Sequence, residues 1–121
     1  MKKENIVLFV LVCCIFIACR HHGHTSITVR EWHNHYSMSA WFNESRTRDV
    51  EEYLDDKIGR RNDISFVHTR MDARLILDDH TTFFIKKSPG YVEIKLNKNE
   101  NSFDSYQRIK LMCDGIKEVV K

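Results

Sequence analysis

The segment around the turn sequence KSPGY constrains the fold most, because apolar residues alternate with period two on both sides of it. Pro89 and Gly90 suit the second and third positions of a type II turn, the third of which needs a positive φ. A two-residue loop then places Ile85 opposite Ile94. One face of the pair collects the apolar residues Phe83, Ile85, Val92, Ile94 and Leu96. The pattern predicts an antiparallel hairpin with one buried face.

The outer face of this hairpin is basic and aromatic. It pairs Lys86 with Glu93 and Phe84 with Lys95. Such a surface suits an anionic head group or a protein partner, and an ordinary solvated sheet face is the alternative. The candidate binding face is Phe84, Lys86, Tyr91 and Lys95, joined by Trp32 and Trp41 if helices cover only one side of the sheet. Four lysines are expected to cluster around the hairpin: Lys86, Lys87, Lys95 and Lys98.

A change of parity in the apolar residues predicts a second hairpin, with His33-Asn34 as its loop. Ile27 and Val29 occupy odd positions, whereas the apolar residues of 36–42 occupy even ones. A single strand cannot bury both sets, since its side chains alternate between two faces. A two-residue loop removes the conflict by placing Val29 opposite Met38. The other expected pairs are Ile27 with Ala40 on the same face, and Arg30 with Ser37 and Thr28 with Ser39 on the opposite face.

Two further stretches have apolar residues at helical spacing. The first helix has Ser45 or Thr47 as its cap, Gly59 as its stop, and the apolar stripe Val50, Tyr53, Leu54 and Ile58. Its acidic residues are expected on the solvated side: Glu51, Glu52, Asp55 and Asp56. The second helix begins after Ser102 and carries the longer stripe Tyr106, Ile109, Cys113, Ile116 and Val120.

The remaining strands complete the predicted fold. Strands are expected at 73–77 and 82–87, joined by a loop of three or five residues around Asp79-His80. A short strand at 64–69 is left open. The predicted class is α+β, a mainly antiparallel sheet of five to six strands with two helices packed on one face. The order is ββαββ(β)βα, in which one strand is uncertain.

The N-terminus has the features of a targeting signal. Lys2 and Lys3 precede an apolar run from Ile6 to Ala18, which is shorter than the ~20 apolar residues that span a bilayer. The run ends Phe16-Ile17-Ala18-Cys19, and Arg20 begins a polar stretch. This ending resembles the lipobox of bacterial lipoproteins, with Phe16 in place of the usual Leu. An uncleaved membrane anchor is the alternative.

The resemblance implies cleavage before Cys19 and covalent lipid on that cysteine. Residues 1–18 are then a signal peptide, 19–26 the lipidated cysteine with a flexible histidine-rich tether, and 27–121 a single domain. Arg20 differs from the Asp that usually retains lipoproteins in the inner membrane. The expected location is therefore the periplasmic leaflet of the outer membrane. The resemblance covers about 19 residues, and residues 27–121 resemble no family.

Charge and cysteine content exclude two classes of protein. The chain has 19 basic and 17 acidic residues, and loss of the signal peptide brings the charge closer to neutral, so there is no electrostatic case for nucleic acid. Cys13 and Cys14 leave with the signal peptide, and Cys19 carries lipid. Only Cys113 remains, so the mature chain cannot form an intramolecular disulfide.

The histidines suggest a metal site. The candidate ligands are His21, His22, His24, His33 and His35. Neutral imidazole binds Zn²⁺, Cu²⁺ and Ni²⁺, but a defined site needs three or four fixed ligands. A short tether and a hairpin turn supply little rigidity. We expect weak, adventitious binding of divalent metal and no dedicated cofactor.

Together these features predict a non-catalytic, lipid-anchored envelope protein. Its domain is expected to bind an envelope protein or polymer, and the lipid to bind the membrane. A metal-handling lipoprotein is the alternative, and a small hydrolase with Cys113 as nucleophile is a more distant one. The position of Cys113 within an apolar stripe favours a buried, inert thiol. The sequence contains no Gly-rich phosphate loop, HExxH or GxSxG motif.

Overall fold

The computed structural model describes residues 25–121. The predicted lipobox, Cys19 and the candidate ligands His21, His22 and His24 lie outside the described residues. Residues 25–121 form five strands and two α-helices: β1 (Ser26–Glu31), β2 (His35–Trp41), α1 (Thr47–Leu54), β3 (Met71–Ile76), β4 (Thr82–Ser88), β5 (Tyr91–Asn97) and α2 (Phe103–Val119). The α+β class is confirmed. Ser26, expected in the tether, is the first residue of β1.

The strands form one sheet in the order β1-β2-β5-β4-β3, and every neighbouring pair is antiparallel. β5 lies at the centre, where it joins the first hairpin to the three-stranded meander of β3, β4 and β5. The long-range pair is β2 with β5, in which Met38 lies opposite Ile94. Two strands that are distant in sequence therefore present their apolar residues to the same side.

Both hairpins have the predicted register. Val29 lies opposite Met38, and Ile85 lies opposite Ile94. Gly90 has a φ of +75°, the positive value that a type II turn requires at this position. The loop between β3 and β4 is Leu77–Thr81, five residues long and thus one of the two predicted lengths.

One face of the sheet packs against both helices and forms the core. Its strand residues include Tyr36, Met38, Ala40, Phe83, Ile85, Val92, Ile94 and Leu96. The helices contribute Val50, Leu54, Ile58, Tyr106, Ile109, Met112, Cys113 and Ile116. The two helices pack closely, and the Tyr53 hydroxyl of α1 donates to the Met112 carbonyl of α2 at 3.0 Å. A Cβ at Gly115 would lie 1.8 Å from that hydroxyl, which explains a glycine in an otherwise regular helix.

The ends of α1 differ from the prediction. Neither Ser45 nor Thr47 caps it; instead, Asn43 accepts from the Ser45 amide at 3.0 Å and starts a 3₁₀ turn before the helix. Gly59 does not stop it, since the backbone continues through a π-helical turn and a 3₁₀ turn. The chain leaves the helical conformation at Asp63, whose φ is +56°. Ser102, by contrast, caps α2 as predicted, accepting from the Ser105 amide at 3.1 Å.

The segment 64–69 is not a strand. Phe66 is fully buried against the core, and its amide donates to the Asp55 carboxylate at 2.7 Å. The Ile64 amide donates to the carbonyl of Gly59 at 2.9 Å. These bonds satisfy the backbone within a loop, so the sheet of described residues has five strands, the lower of the two predicted numbers.

Two charged residues expected at the surface are buried together. Glu51 was predicted on the solvated side of α1 and Lys87 in a surface lysine cluster, yet their side chains are 7 % and 2 % exposed. Lys87 alternates with Lys86 along β4 and therefore points to the core side. Its ammonium donates to Glu51 Oε2 at 2.6 Å and to the carbonyl of Thr69. The pair ties β4, α1 and the 64–70 loop to one another.

Removing one member of this pair should destabilise the fold far more than removing both. Glu51→Leu leaves the Lys87 ammonium buried without its carboxylate, which costs about 3–5 kcal/mol of unfolding free energy. Glu51→Leu with Lys87→Met should recover most of that loss. The measurement is urea unfolding, with Glu52→Leu on the exposed neighbour as control. A Glu51→Leu cost no larger than that of Glu52→Leu would contradict the buried pair.

Candidate functional site

The sheet face opposite the helices is exposed, and it contains the predicted binding residues. We call it the open face. Strand registers place these residues on it: Thr28, Arg30, His35, Ser37, Ser39, Trp41, Asp72, Arg74, Ile76, Thr82, Phe84, Lys86, Tyr91, Glu93, Lys95 and Asn97. Among residues 25–121, both helices lie on the other side. The open face combines exposed aromatic rings with charges of both signs.

The four residues predicted as a binding face lie together on the open face. Phe84 is 52 % exposed and sits opposite Lys95, whereas its neighbour Phe83 is 1 % exposed in the core. Lys86 pairs with Glu93 across the strands. Tyr91 is half-buried at the start of β5. The alternation along β4 therefore separates a core phenylalanine from a surface one.

The predicted lysine cluster is divided by the fold. Lys86 and Lys95 are on the open face, and Lys87 is in the core. Lys98 lies at the end of the sheet, where its ammonium is 3.3 Å from the Glu31 carboxylate and 4.6 Å from the centroid of the Tyr106 ring. It also donates to the carbonyl of Trp32 at 2.7 Å. Lys98 thus joins β1 to α2 and is not part of the open face.

An aromatic pair lies at one end of the open face. The rings of Trp41 and Tyr91 have centroids 4.2 Å apart, and Trp41 is 59 % exposed. The Tyr91 hydroxyl donates to Glu93 Oε2 at 3.1 Å. Burial and the neighbouring Glu93 carboxylate together raise the pKa of Tyr91, so its hydroxyl remains a donor. The contact holds the Tyr91 ring in place beneath a largely exposed indole.

Next to the aromatic pair is a polar depression of about 260 Å³. It is lined by the open-face side chains Thr28, Arg30, Ser37, Ser39, Glu93 and Lys95. The Lys95 ammonium lies 3.7 Å from the Glu93 carboxylate. Arg30, Ser37 and Thr28 were expected on the outer face of their hairpin, but they were not predicted to be binding residues. The missing information was that β2 pairs with β5, which brings the two hairpins side by side.

The histidines of the described residues do not converge. His33 lies in the hairpin loop, and His35 begins β2 at the open-face end next to Asn97; both are exposed. His68 and His80 occupy other loops, each with a positive φ. Within residues 25–121, no three His, Cys, Asp or Glu side chains are placed to hold a metal ion. The proposed involvement of His21, His22 and His24 concerns residues that are not described.

Cys113 is fully buried in the core. Burial raises the pKa of its thiol to about 12. A nucleophilic cysteine needs the thiolate, which at neutral pH is a negligible fraction of a thiol with this pKa. The nearby Tyr36 hydroxyl is also buried and has no hydrogen-bond partner among the described residues. Burial raises the pKa of Tyr36 as well, so this hydroxyl offers no general base.

A larger depression of about 410 Å³ lies on the helical side, between α2 and the end of α1. Tyr53, Lys57, Arg108 and Leu111 are among its lining residues. It contains no histidine or cysteine, and its charged residues are exposed at its rim. It is a groove between the two packed helices.

No helix of the described residues is long and apolar enough to cross a membrane. Compared with models of protein families, with characterised proteins and with solved structures, the chain matches none of them.

Truncating adjacent phenylalanines should distinguish the two faces of β4. Phe83→Ala removes a core ring and should lower the unfolding free energy by about 3–5 kcal/mol. Phe84→Ala removes an exposed ring and should change it by less than about 1 kcal/mol. Chemical unfolding of the two variants measures both effects. Equal losses would place Phe84 in a packed interface and contradict the open face.

Proposed function

We propose that this chain is a bacterial envelope lipoprotein whose domain is a non-catalytic binding module. Lipid on Cys19 anchors it in the periplasmic leaflet of the outer membrane, and the open face binds another envelope protein or an envelope polymer. The observation that carries the binding role is the exposed aromatic and charged surface of the open face, with Trp41 and Phe84 as its largest rings.

The anchor places this surface close to the membrane. Cys19 precedes Ser26 by seven positions, and a fully extended chain spans at most about 3.6 Å per residue. Ser26, the first residue of β1, would therefore stay within about 25 Å of Cys19. Two or three acyl chains hold a protein essentially permanently, at ~0.8 kcal/mol per buried methylene. Such a protein meets its partner at the membrane rather than in solution.

The chemistry of Cys113 supports a binding role over a hydrolytic one. Its thiol is enclosed by the core, and its raised pKa keeps it protonated. Substrate would have to displace core side chains to reach it. The open face, in contrast, presents its charged and aromatic groups directly to solvent.

Crosslinking in intact cells grown with a clickable palmitate analogue tests both parts of the proposal. The wild-type chain should carry the label and form a crosslinked product. Cys19→Ala should lose the label, whereas Cys113→Ala should keep it. Phe84→Ser should keep the label but lose the crosslinked product, because the open face is altered and the anchor is not.

Leu111→Ser is the matched control, since Leu111 is also a largely exposed apolar residue and lies on the helical side. It should keep both the label and the product. Label on the Cys19→Ala variant would overturn the anchor. Loss of the product in Leu111→Ser, with retention in Phe84→Ser, would move the binding surface to the helices.

A further inference from the structure

We propose that the ligand of the open face is a glycan bearing carboxylate groups. This inference rests on the proposed function, because it names the partner of the same surface. The polar depression and the adjacent aromatic pair support it through the charge, hydrogen-bonding capacity and spacing of their side chains.

The polar groups of the depression are largely uncommitted. Within residues 25–121, the hydroxyls of Thr28, Ser37 and Ser39 make no side-chain hydrogen bond, and Arg30 forms no ion pair. Glu93 and Lys95 are the exceptions, because the Glu93 carboxylate accepts from Tyr91 and lies 3.7 Å from the Lys95 ammonium. Hydroxyls both donate and accept hydrogen bonds, carboxylates accept them and guanidinium groups donate them, and sugar hydroxyls can pair with all three. The depression thus offers several free partners within a small area.

The aromatic pair supplies the apolar part of the same surface. Trp41 and Tyr91 lie opposite each other on β2 and β5, one row before Ser39 and Glu93. A sugar ring has a flat face of C–H groups that packs on an indole or phenol ring, and its hydroxyls point outward from the edge. Trp and Tyr combine an apolar ring with a polar atom, which suits such a mixed ligand.

The charge of the depression favours an acidic sugar. Arg30 and Lys95 supply two positive charges and Glu93 one negative charge, which leaves an excess of one. A carboxylate matches this excess, and its two oxygens accept paired N–H groups from a guanidinium. Arg30 is the free guanidinium of the depression. A neutral glycan would leave this charge without a partner.

The spacing requires an extended ligand. Trp41 and Ser37 are on the same face of β2, four residues apart, or about 13 Å at ~3.3 Å per residue. A chain of linked sugar units can pack one ring on Trp41 and still bring a carboxylate to the row of Arg30 and Ser37. An anionic lipid surface could match the positive charge, but it presents no sugar ring to pack on Trp41 and Tyr91.

Calorimetric titration of the mature lipoprotein in detergent micelles tests the proposal. The probes are galacturonate oligomers and uncharged galactose oligomers of the same length. The galacturonate oligomer should bind at least about tenfold more tightly, because only it can pair with Arg30 and Lys95. Arg30→Ser with Lys95→Ser should remove this difference, and Trp41→Leu should weaken binding of both oligomers.

The matched control is Lys57→Ser with Arg60→Ser, which removes the same charge from two exposed residues outside the sheet. It should bind galacturonate like the wild type. Equal loss in the control, equal affinity for the neutral oligomer, or no binding of galacturonate would overturn the proposal. So would equally tight binding of hexaglutamate or of glycerol 3-phosphate, a soluble lipid head-group analogue, which would assign the surface to acidic peptides or to lipid head groups.

A different result would contradict the proposed function than would contradict the glycan ligand. If galacturonate does not bind while Phe84→Ser still abolishes the crosslinked product in cells, the open face remains the binding surface and only the glycan is wrong. If neither the product nor the oligomer depends on the open face, both proposals fail.

Discussion

The period-two alternation of side chains, combined with two helices on one side of the sheet, determines the rest of this structure. Each strand divides its residues between a face that the helices bury and a face that they leave exposed. The core depends on this division, because Cys113 is the only cysteine among residues 25–121 and no disulfide supports them. Phe83 and Phe84 show the result most directly, since two adjacent residues place one ring in the core and the other in solvent.

The same alternation explains the buried ion pair. Lys86 and Lys87 are adjacent, so β4 must point one of them toward the helices. Lys87 takes the core side, and Glu51 of α1 and the carbonyl of Thr69 satisfy its ammonium. A buried charge pair offsets its desolvation only when its hydrogen bonds are complete. The pair therefore selects one arrangement of β4, α1 and the following loop over alternatives that would leave a charge unpaired.

Much of the fold could be predicted because it depends on local signals. Pro89 and Gly90 define one turn, the change of parity at His33-Asn34 defines another, and the stripe of α2 is continuous. Features that depend on distant contacts could not be predicted. One such contact is the hydrogen bond that the Asp55 carboxylate accepts from the Phe66 amide. This bond helps to hold 64–69 as a loop.

For the same reason, only half of the candidate site could be predicted. Phe84, Lys86, Tyr91 and Lys95 are placed by the register of a single hairpin. Arg30, Ser37 and Ser39 join them only because β2 pairs with β5, and no local pattern specifies that pairing. Lys87 and Lys98 were expected in the same surface cluster as Lys86, because proximity in sequence does not reveal on which face of the sheet each side chain lies.

The central claim is that the open face is occupied in the cell while the helical side is free. Hydroxyl-radical footprinting measures this without any substitution, by comparing intact cells with the purified lipoprotein. Trp41 and Phe84 on the open face should be oxidised less in cells, whereas Phe103 and Leu111 on α2 should be oxidised equally in both samples. All four side chains are exposed in the isolated chain. Protection of Phe103 and Leu111, with Trp41 and Phe84 unprotected, would contradict the account.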